Sequence, residues 1–260
     1  MTKKHDIIWL DKVDSTNEEA LRRLPYIDNL SVLSATEQTE GRGQRGNSWS
    51  SKPGENLTFS IVLKFSDNNT VNTSGLPSLK AYDQFILNAV TSLSVVDFLS
   101  IHGIKATVKW PNDIYVSDKK ICGILIENSI KDRNISRSVI GIGLNINQTT
   151  FDIKLPNPIS MTQCTSRIYP PESLLEEFMD VFTEYYKIYL QNTTAHSELK
   201  NRYKTSLWRM GVPSGFKDMK SDREFIGTIR GLSDIGLLVI EDTEKGELKE
   251  FAFKDISYIL

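Results

Sequence analysis

Cysteine and histidine are scarce in this chain: Cys122 and Cys164, and His5, His102 and His196, are all that 260 residues contain. Two cysteines make neither a disulfide framework nor a zinc cluster, and the histidines lie too far apart to share a metal. Such sparing use of thiols fits a reducing compartment. No apolar leader opens the chain, and no run approaches the ~18 apolar residues of a membrane span. The longest uncharged stretch, residues 84–96, still carries Asn88, Thr91, Ser92 and Ser94. Cytoplasm is therefore the expected location, with no membrane partner. An excess of one charge is also missing: 31 Lys and Arg face 33 acids, a net charge of -2. That argues against a general nucleic-acid binder. There is no Gly-x-Ser-x-Gly elbow and no Walker loop. Cys122, between Ile121 and Gly123, reads as a buried structural thiol. With no nucleophile–base pair legible, an enzyme of this sequence must work by positioning and charge neutralisation.

What is present is an ordinary globular composition, 39% hydrophobic and 25% charged, enough to build a core. The length fits one large domain or a domain with a small appendage. Residues 7–10 and 31–36 are short strand candidates. Residues 57–65 alternate strictly through Leu57, Phe59, Ile61, Leu63 and Phe65, a strand signal. Between the first two, Ser15 and Glu18 fit a capping box at a helix start that runs to Pro25. Residues 37–56 read as a polar, glycine-rich loop. The spacing of Tyr82, Phe85, Ile86, Ala89, Val90, Leu93, Val96 and Leu99 predicts a helix over 79–102, with Gly103 as its cap. Strands are expected at 107–110, 113–116, 121–128 and 138–145, with a hairpin at 117–120. Residues 148–167 show no period and read as a long functional or mobile loop. Pro170 and Pro171 open a further helix with Leu174, Leu175, Phe178, Phe182, Tyr185 and Tyr189 on one face, and another helix covers 196–208. Beyond about 210, short strands separated by Gly227, Gly231, Gly236 and Gly246 suggest a small β-barrel or SH3-like module. The expected division is 1–210 and 211–260.

Three constellations carry possible chemistry. Gly41, Gly43 and Gly46, interleaved with Arg42 and Arg45 and followed by Trp49, let backbone N–H groups and guanidinium donors converge on an anion; a basic surface turn is the plainer reading. In Lys109-Trp110-Pro111-Asn112-Asp113, the proline makes a rigid turn that aims Asn112 and Asp113. Asp113 is a candidate Mg²⁺ ligand beside phosphate-binding cations, and Lys120 follows at the hairpin exit. Trp110 reads as core. Gly141 and Gly143, in the strand leading to Asn145, thin a β-ladder where a nucleotide or a neighbouring helix must approach the backbone.

Taken in order, with Ser15-Thr16-Asn17 ahead of them, these segments resemble the biotin–protein ligases. The family pattern is a Ser-Thr-Asn helix start, a Gly-Arg-Gly-x-x-Gly-x-x-Trp loop, a Lys-Trp-Pro-Asn-Asp turn followed by a lysine and Gly-Ile-Leu, and Gly-x-Gly-x-Asn. All four stand here within residues 15–145. The resemblance implies an α+β fold related to class II aminoacyl-tRNA synthetases, a mixed sheet backed by helices with an SH3-like end domain. It implies a cytoplasmic ATP-dependent biotin–[acetyl-CoA-carboxylase] ligase. Biotin and MgATP would give biotinyl-5′-AMP and pyrophosphate, and biotin would then pass to a lysine of a biotin carboxyl carrier domain. Matching positions assign biotin contacts to Ser15, Thr16, Asn17, Gln38, Arg42, Gly43, Gln44, Lys120 and Gly123. ATP contacts fall to Arg42, Arg45, Trp49, Lys109, Asn112, Asp113, Gly141, Gly143 and Asn145. Lys120, Arg42 and Asp113 are the catalytic candidates. No protein-only metal site is expected: Mg²⁺ comes with ATP, and Asp113 is the candidate contact.

Two departures matter. Gln44 and Asn47 stand where the familiar loop has arginine, so weaker clamping of the adenylate is expected, with Arg45 compensating. Some members begin with a helix-turn-helix repressor domain; here the first motif starts at Ser15, and no DNA-binding role by that route is expected. Monomer and homodimer both occur among members. A lipoate–protein ligase is the nearest alternative, and an RNA-binding module using Arg42, Arg45 and Trp49 is a more distant one.

Overall fold

The computed structural model describes residues 4–66 and 76–259, the side chain of Arg45 excepted. The chain opens with a parallel pair. Strand β1 (Ile7–Val13) lies beside β2 (Val32–Gln38), in register from Ile7 with Val32, and helix α1 (Thr16–Arg23) crosses between them. Every other pairing in the sheet is antiparallel. β3 (Leu57–Lys64) follows β2, and a short β4 (Leu79–Lys80) pairs with Ile135 and Asn134. After helix α2 (Phe85–Ile101) come β5 (Thr107–Lys109), β6 (Asp113–Val116), β7 (Lys119–Lys131) and β8 (Asn134–Leu144). The order across the sheet is β1-β2-β3-β8-β7-β6-β5.

The strict alternation in β3 serves two faces. Leu57, Phe59, Ile61 and Leu63 enter the main core, whereas Val62 joins a smaller cluster with Ala20, Leu24, Ile27, Leu33 and Val139 beneath α1. Helix α2 is apolar all round and mostly buried. Its hydroxyls are accommodated by the helix itself: Thr91 Oγ1 donates to Leu87 O and Ser94 Oγ to Val90 O. By length and composition the segment Ala81–Ile101 is apolar enough to cross a membrane, but 67% of its most apolar window is buried, as in a central core helix.

Several boundaries differ from expectation. The helix predicted over 79–102 starts only at Phe85, because Leu79 and Lys80 pair with Ile135 and Asn134. Gly103, at φ +77°, ends it as expected. The strands predicted at 121–128 and 138–145 are the longer β7 and β8, joined through Asp132 and Arg133 at φ 50° and 69°. That two-residue turn lacks the glycine that usually announces it. Within 148–167 the sequence shows no period, yet α3 (Met161–Thr165) forms, with Ser160 and Gln163 completing a capping box. The same stretch is pinned to β7: Lys120 N donates to Asn157 O and Ile159 N to Lys120 O.

Helix α4 (Pro171–Tyr185) carries the expected apolar face from Leu174 to Tyr185, and Tyr189 follows in a π-helical turn, Tyr186–Leu190. Helix α5 (His196–Thr205) stops before Trp208, because residues 206–208 turn to bridge β5 through Leu207: Val108 N donates to Ser206 O and Trp208 N to Val108 O. The tail forms a second, all-antiparallel sheet of β9 (Pro213–Asp218), β10 (Arg223–Leu232), β11 (Leu238–Asp242), β12 (Leu248–Phe251) and β13 (Ile256–Ile259), ordered β12-β11-β10-β9-β13. The two end strands do not pair, so hydrogen bonds do not close the expected barrel. Phe216, Ile229, Leu238, Ile240, Phe251 and Ile256 belong to the same apolar cluster as the main sheet, so one continuous core supports both.

Candidate functional site

The site begins where β1 hands over to α1. Asp14 accepts from Ser15 N, and Arg22 grips its two oxygens at 2.7 and 2.8 Å. Those hydrogen bonds hold the Asp14 carboxyl down at about 2. The predicted capping box is absent: the Ser15 side chain caps nothing, and the Glu18 carboxylate reaches Arg42 instead of folding back. Ser15 is left buried against a cavity. The Thr16 backbone N–H and hydroxyl both donate to Gln38 Oε1, at 2.7 and 3.1 Å. With its oxygen so engaged, the Gln38 amide has its N–H donors left to offer. Asn17 Nδ2 donates to Glu127 Oε2 at 2.7 Å, and Ser60 Oγ lies 2.6 Å from Asn17 Oδ1.

The cavity floor is the glycine-thinned part of the sheet. Gly123 and Gly143 face each other across β7 and β8, and Gly141 faces Ser60 of β3. A Cβ on Gly141 would sit 2.3 Å from Asn17 Oδ1, and one on Gly143 would sit 2.3 Å from the Trp49 indole. The groups that need this close approach are thus a residue of the neighbouring helix and an aromatic ring of the loop. That loop is a small hairpin: Trp49 N donates to Gly41 O and Gly43 N to Asn47 O, and Gly46 turns at φ +79°. Trp49 also lies beside Lys120, whose Nζ is 5.7 Å from its ring centroid.

The Lys109–Asp113 turn forms another part of the wall. Trp110 is buried and its Nε1 donates to Gly236 O at 3.1 Å, in agreement with a core role. Asn88 Nδ2 and the Tyr203 hydroxyl both donate to Pro111 O, and Asn112 Nδ2 donates to Ile124 O. Asp113 Oδ1 accepts Lys120 Nζ at 2.7 Å. Lys109 Nζ donates to the Tyr115 hydroxyl at 3.0 Å and sits over the rings of Tyr115, Trp208 and Tyr258.

These pieces enclose one cavity of about 260 Å³. Ser15, Thr16, Asn17, Gln38, Arg42, Gly43, Gln44, Trp49, Lys109, Asn112, Asp113, Lys120, Gly123, Gly141 and Gly143 all line it. Two predicted residues stand apart. Asn145 is not on the wall: its Nδ2 donates to Ile159 O at 3.0 Å, tying the strand end to the segment before α3. The side chain of Arg45 lies outside the described residues. The wall also takes in neighbours within the motif segments, such as Ser48, Pro111, Ile124 and Ile142, and four residues from outside those segments that escaped the sequence reading, Phe253, Ile256, Ser257 and Tyr258. They come from the second sheet, and nothing in their local pattern distinguishes them from core residues. Cys122 is fully buried, and burial pushes its thiol well up, as befits an inert core side chain.

Chemically, the described wall carries Arg42, Lys109 and Lys120 against a single carboxylate, Asp113. No group of three or more His, Cys, Asp or Glu gathers among the described residues. The arrangement suits anionic ligands brought together by cations on its wall, beside neutral hydrogen-bonding side chains suited to an uncharged polar group.

Comparison with known proteins agrees in kind. Residues 9–145 match the sequence model of the Biotin/lipoate A/B protein ligase family. The bifunctional ligase/repressor BirA of Bacillus spizizenii is 25% identical over 245 residues, spanning 92% of this chain and 70% of that protein. The biotin–[acetyl-CoA-carboxylase] ligase of Paracoccus denitrificans is 26% identical over 238 residues, 89% of this chain and 92% of that one. A biotin protein ligase from Aquifex aeolicus, solved in complex with biotin and ATP, superposes with a TM-score of 0.75 at 26% identity, covering 98% of each chain. The matched region contains all four motifs and most of the cavity wall, and this chain belongs to the Biotin/lipoate A/B protein ligase family.

Proposed function

We propose that this ligase activates biotin with ATP and attaches it to a lysine of a biotin carboxyl carrier domain. The observation that carries the reading is the convergence of Arg42 and Lys120, 78 residues apart in the chain, on the cavity that also holds Ser15, Thr16 and Gln38. A carboxylate and a triphosphate repel each other, and cations on a shared wall offset that repulsion as they meet. In the first step a biotin carboxylate oxygen bonds to the α-phosphorus of ATP, and the bond to pyrophosphate breaks with its electron pair leaving on pyrophosphate. In the second, the lysine amine attacks the mixed anhydride carbonyl, loses a proton and expels AMP. Lys120 and Arg42 act on the reacting anions, and Asp113 orients Lys120. Ser15, Thr16, Asn17, Gln38, Gly43, Gln44 and Gly123 form the biotin side. Trp49, Lys109, Asn112, Gly141 and Gly143 form the nucleotide side, with Phe253, Ile256, Ser257 and Tyr258 added to the wall.

One carboxylate already paired with lysine does not make a protein-only Mg²⁺ site. The metal therefore enters with the triphosphate as part of the substrate. Residues 1–210 carry the catalytic residues, while 211–260 close one side of the cavity. The free cysteines suit a reducing cytoplasm.

Incubation with ATP, Mg²⁺, biotin and a purified carrier domain tests the reading. Acceptor mass rises by one biotinyl group, and AMP and pyrophosphate appear. Lipoate-dependent, biotin-independent pyrophosphate exchange would assign the protein to the lipoate branch instead.

A further inference from the structure

Two carboxylates that do not line the cavity hold the Arg42 guanidinium. Nη1 bonds Glu18 of α1, and Nη2 lies 3.1 Å from Oε1 of Glu127 on β7. The two acids are anchored differently. Glu127 projects from an interior strand, is 26% exposed, and its second oxygen accepts from Asn17 Nδ2. Asn17 is itself fixed by Ser60 and packed against Gly141. Glu18 rides on the surface of α1, is 41% exposed, and has Arg42 as its partner.

A guanidinium presents a planar fork of donors, and its direction is set by whatever grips one edge. The fork has five N–H donors, and an anion that approaches on the edge held by Glu18 must take that acid's place. Releasing an exposed acid costs little, whereas releasing Glu127 would also disturb its part-buried bond from Asn17. We propose that Glu127 is the positioning residue for Arg42, and that Glu18 is an exchangeable stand-in for an anionic oxygen of the reactants. On binding, Arg42 then changes one carboxylate for a substrate oxygen while Glu127 keeps its plane. The chain Asn17–Glu127–Arg42 also links the biotin side of the cavity to the anion side. The proposal rests on the biotin-ligase reading.

The two acids should respond in opposite ways. ATP–pyrophosphate exchange at saturating biotin is measured for wild type, Glu18→Gln and Glu127→Gln. Glu18→Gln lowers KM for ATP by about 2- to 5-fold, the scale of an exposed ion pair. Glu127→Gln lowers kcat by about 10-fold or more, the scale of a misaimed group. Its biotin Kd by calorimetry stays within about 2-fold, because the new amide oxygen still accepts from Asn17. A wild-type kcat in Glu127→Gln, or a raised KM in Glu18→Gln, overturns the proposal. Arginine-selective labelling of the biotin-free protein by phenylglyoxal, read by peptide mass, gives a second arm. Arg42 reacts faster in Glu18→Gln than in wild type; an unchanged rate removes the pairing on which the exchange depends. Should wild type show no biotin-dependent exchange, the biotin reading fails, and labelling still decides the pairing.

Discussion

The loop Gly41–Trp49 and the turn Lys109–Asp113 both bring a cation to the same cavity, yet they are built in opposite ways. The turn is locked from several sides: Trp110 and Asn112 are each 5% exposed, and hydrogen bonds to Gly236, Ile124, Asn88 and Tyr203 hold it. The loop is held by its own hairpin bonds, by exposed Arg42 ion pairs and by an indole lying on two glycines. The difference divides the site into a fixed half and an adjustable half. Segments with few buried contacts are those that open and close at low cost. The buried Trp49 Nε1, without a partner among the described residues, fits a ring resting on the floor rather than bonded to it.

The largest test removes Arg42 from the loop and, beside the turn, Lys120, whose ammonium is paired with Asp113. Lys120→Ala and Arg42→Ala each lose about 3–4 kcal/mol of transition-state stabilisation, roughly 10²–10³-fold in adenylate formation. Thermal melts of both stay near wild type. Wild-type pyrophosphate release from either variant would sink the charge argument.

A smaller test uses the floor. Gly141→Ala drives a methyl into Asn17, which Ser60 and Glu127 hold in place, and costs about 1–3 kcal/mol of stability. Gly143→Ala meets the Trp49 ring, which the loop can withdraw. It loses less stability and raises KM more. Equal melting shifts with equal kinetics would erase the distinction between the halves.

Trp110→Phe keeps an aromatic ring in the core but loses part of the indole's packing together with the hydrogen bond to Gly236 O that joins the turn to the second sheet. About 1–2 kcal/mol of stability is lost, read as a lower Tm. An unchanged Tm would mean that the turn does not depend on that tie.

The smallest effect is on pH. The Asp14 carboxyl titrates at about 2 in the folded protein against 3.8 as the reference. The unfolded chain therefore takes up the proton first, and stability present above about pH 4 is lost as pH falls towards 2. Asp14 is 39% exposed, so solvent screening keeps the contribution below about 1 kcal/mol. Asp14→Asn flattens the acid limb of a Tm-versus-pH curve in that window; an unaltered limb would show that Arg22 contributes nothing there.

Much of this was legible in the chain because it is local. Alternation in Leu57–Lys64 and the stripe along α4 follow from periodicity and the burial it permits. The glycines and cations of the three motifs mark a candidate anion site by residue type and spacing alone. Features that depend on distant partners were not legible. The start of α2 was misplaced because Leu79 and Lys80 pair with β8, some 55 residues on. Asn145 carries the right residue type in the right motif, yet its amide is engaged at Ile159. The Ser15–Glu18 capping box failed because a loop arginine competes for the acid.

Residue order alone therefore settled the inventory of donors, the rigid and flexible stretches that carry them, and the strands and helices whose apolar faces repeat. Folding decided which donors share a wall, which acids stand behind Arg42, and that β13 and its neighbours close the cavity. The reason is physical: periodicity encodes which face of an element is buried, whereas the partner it meets is set by packing and hydrogen bonding between segments far apart in the chain.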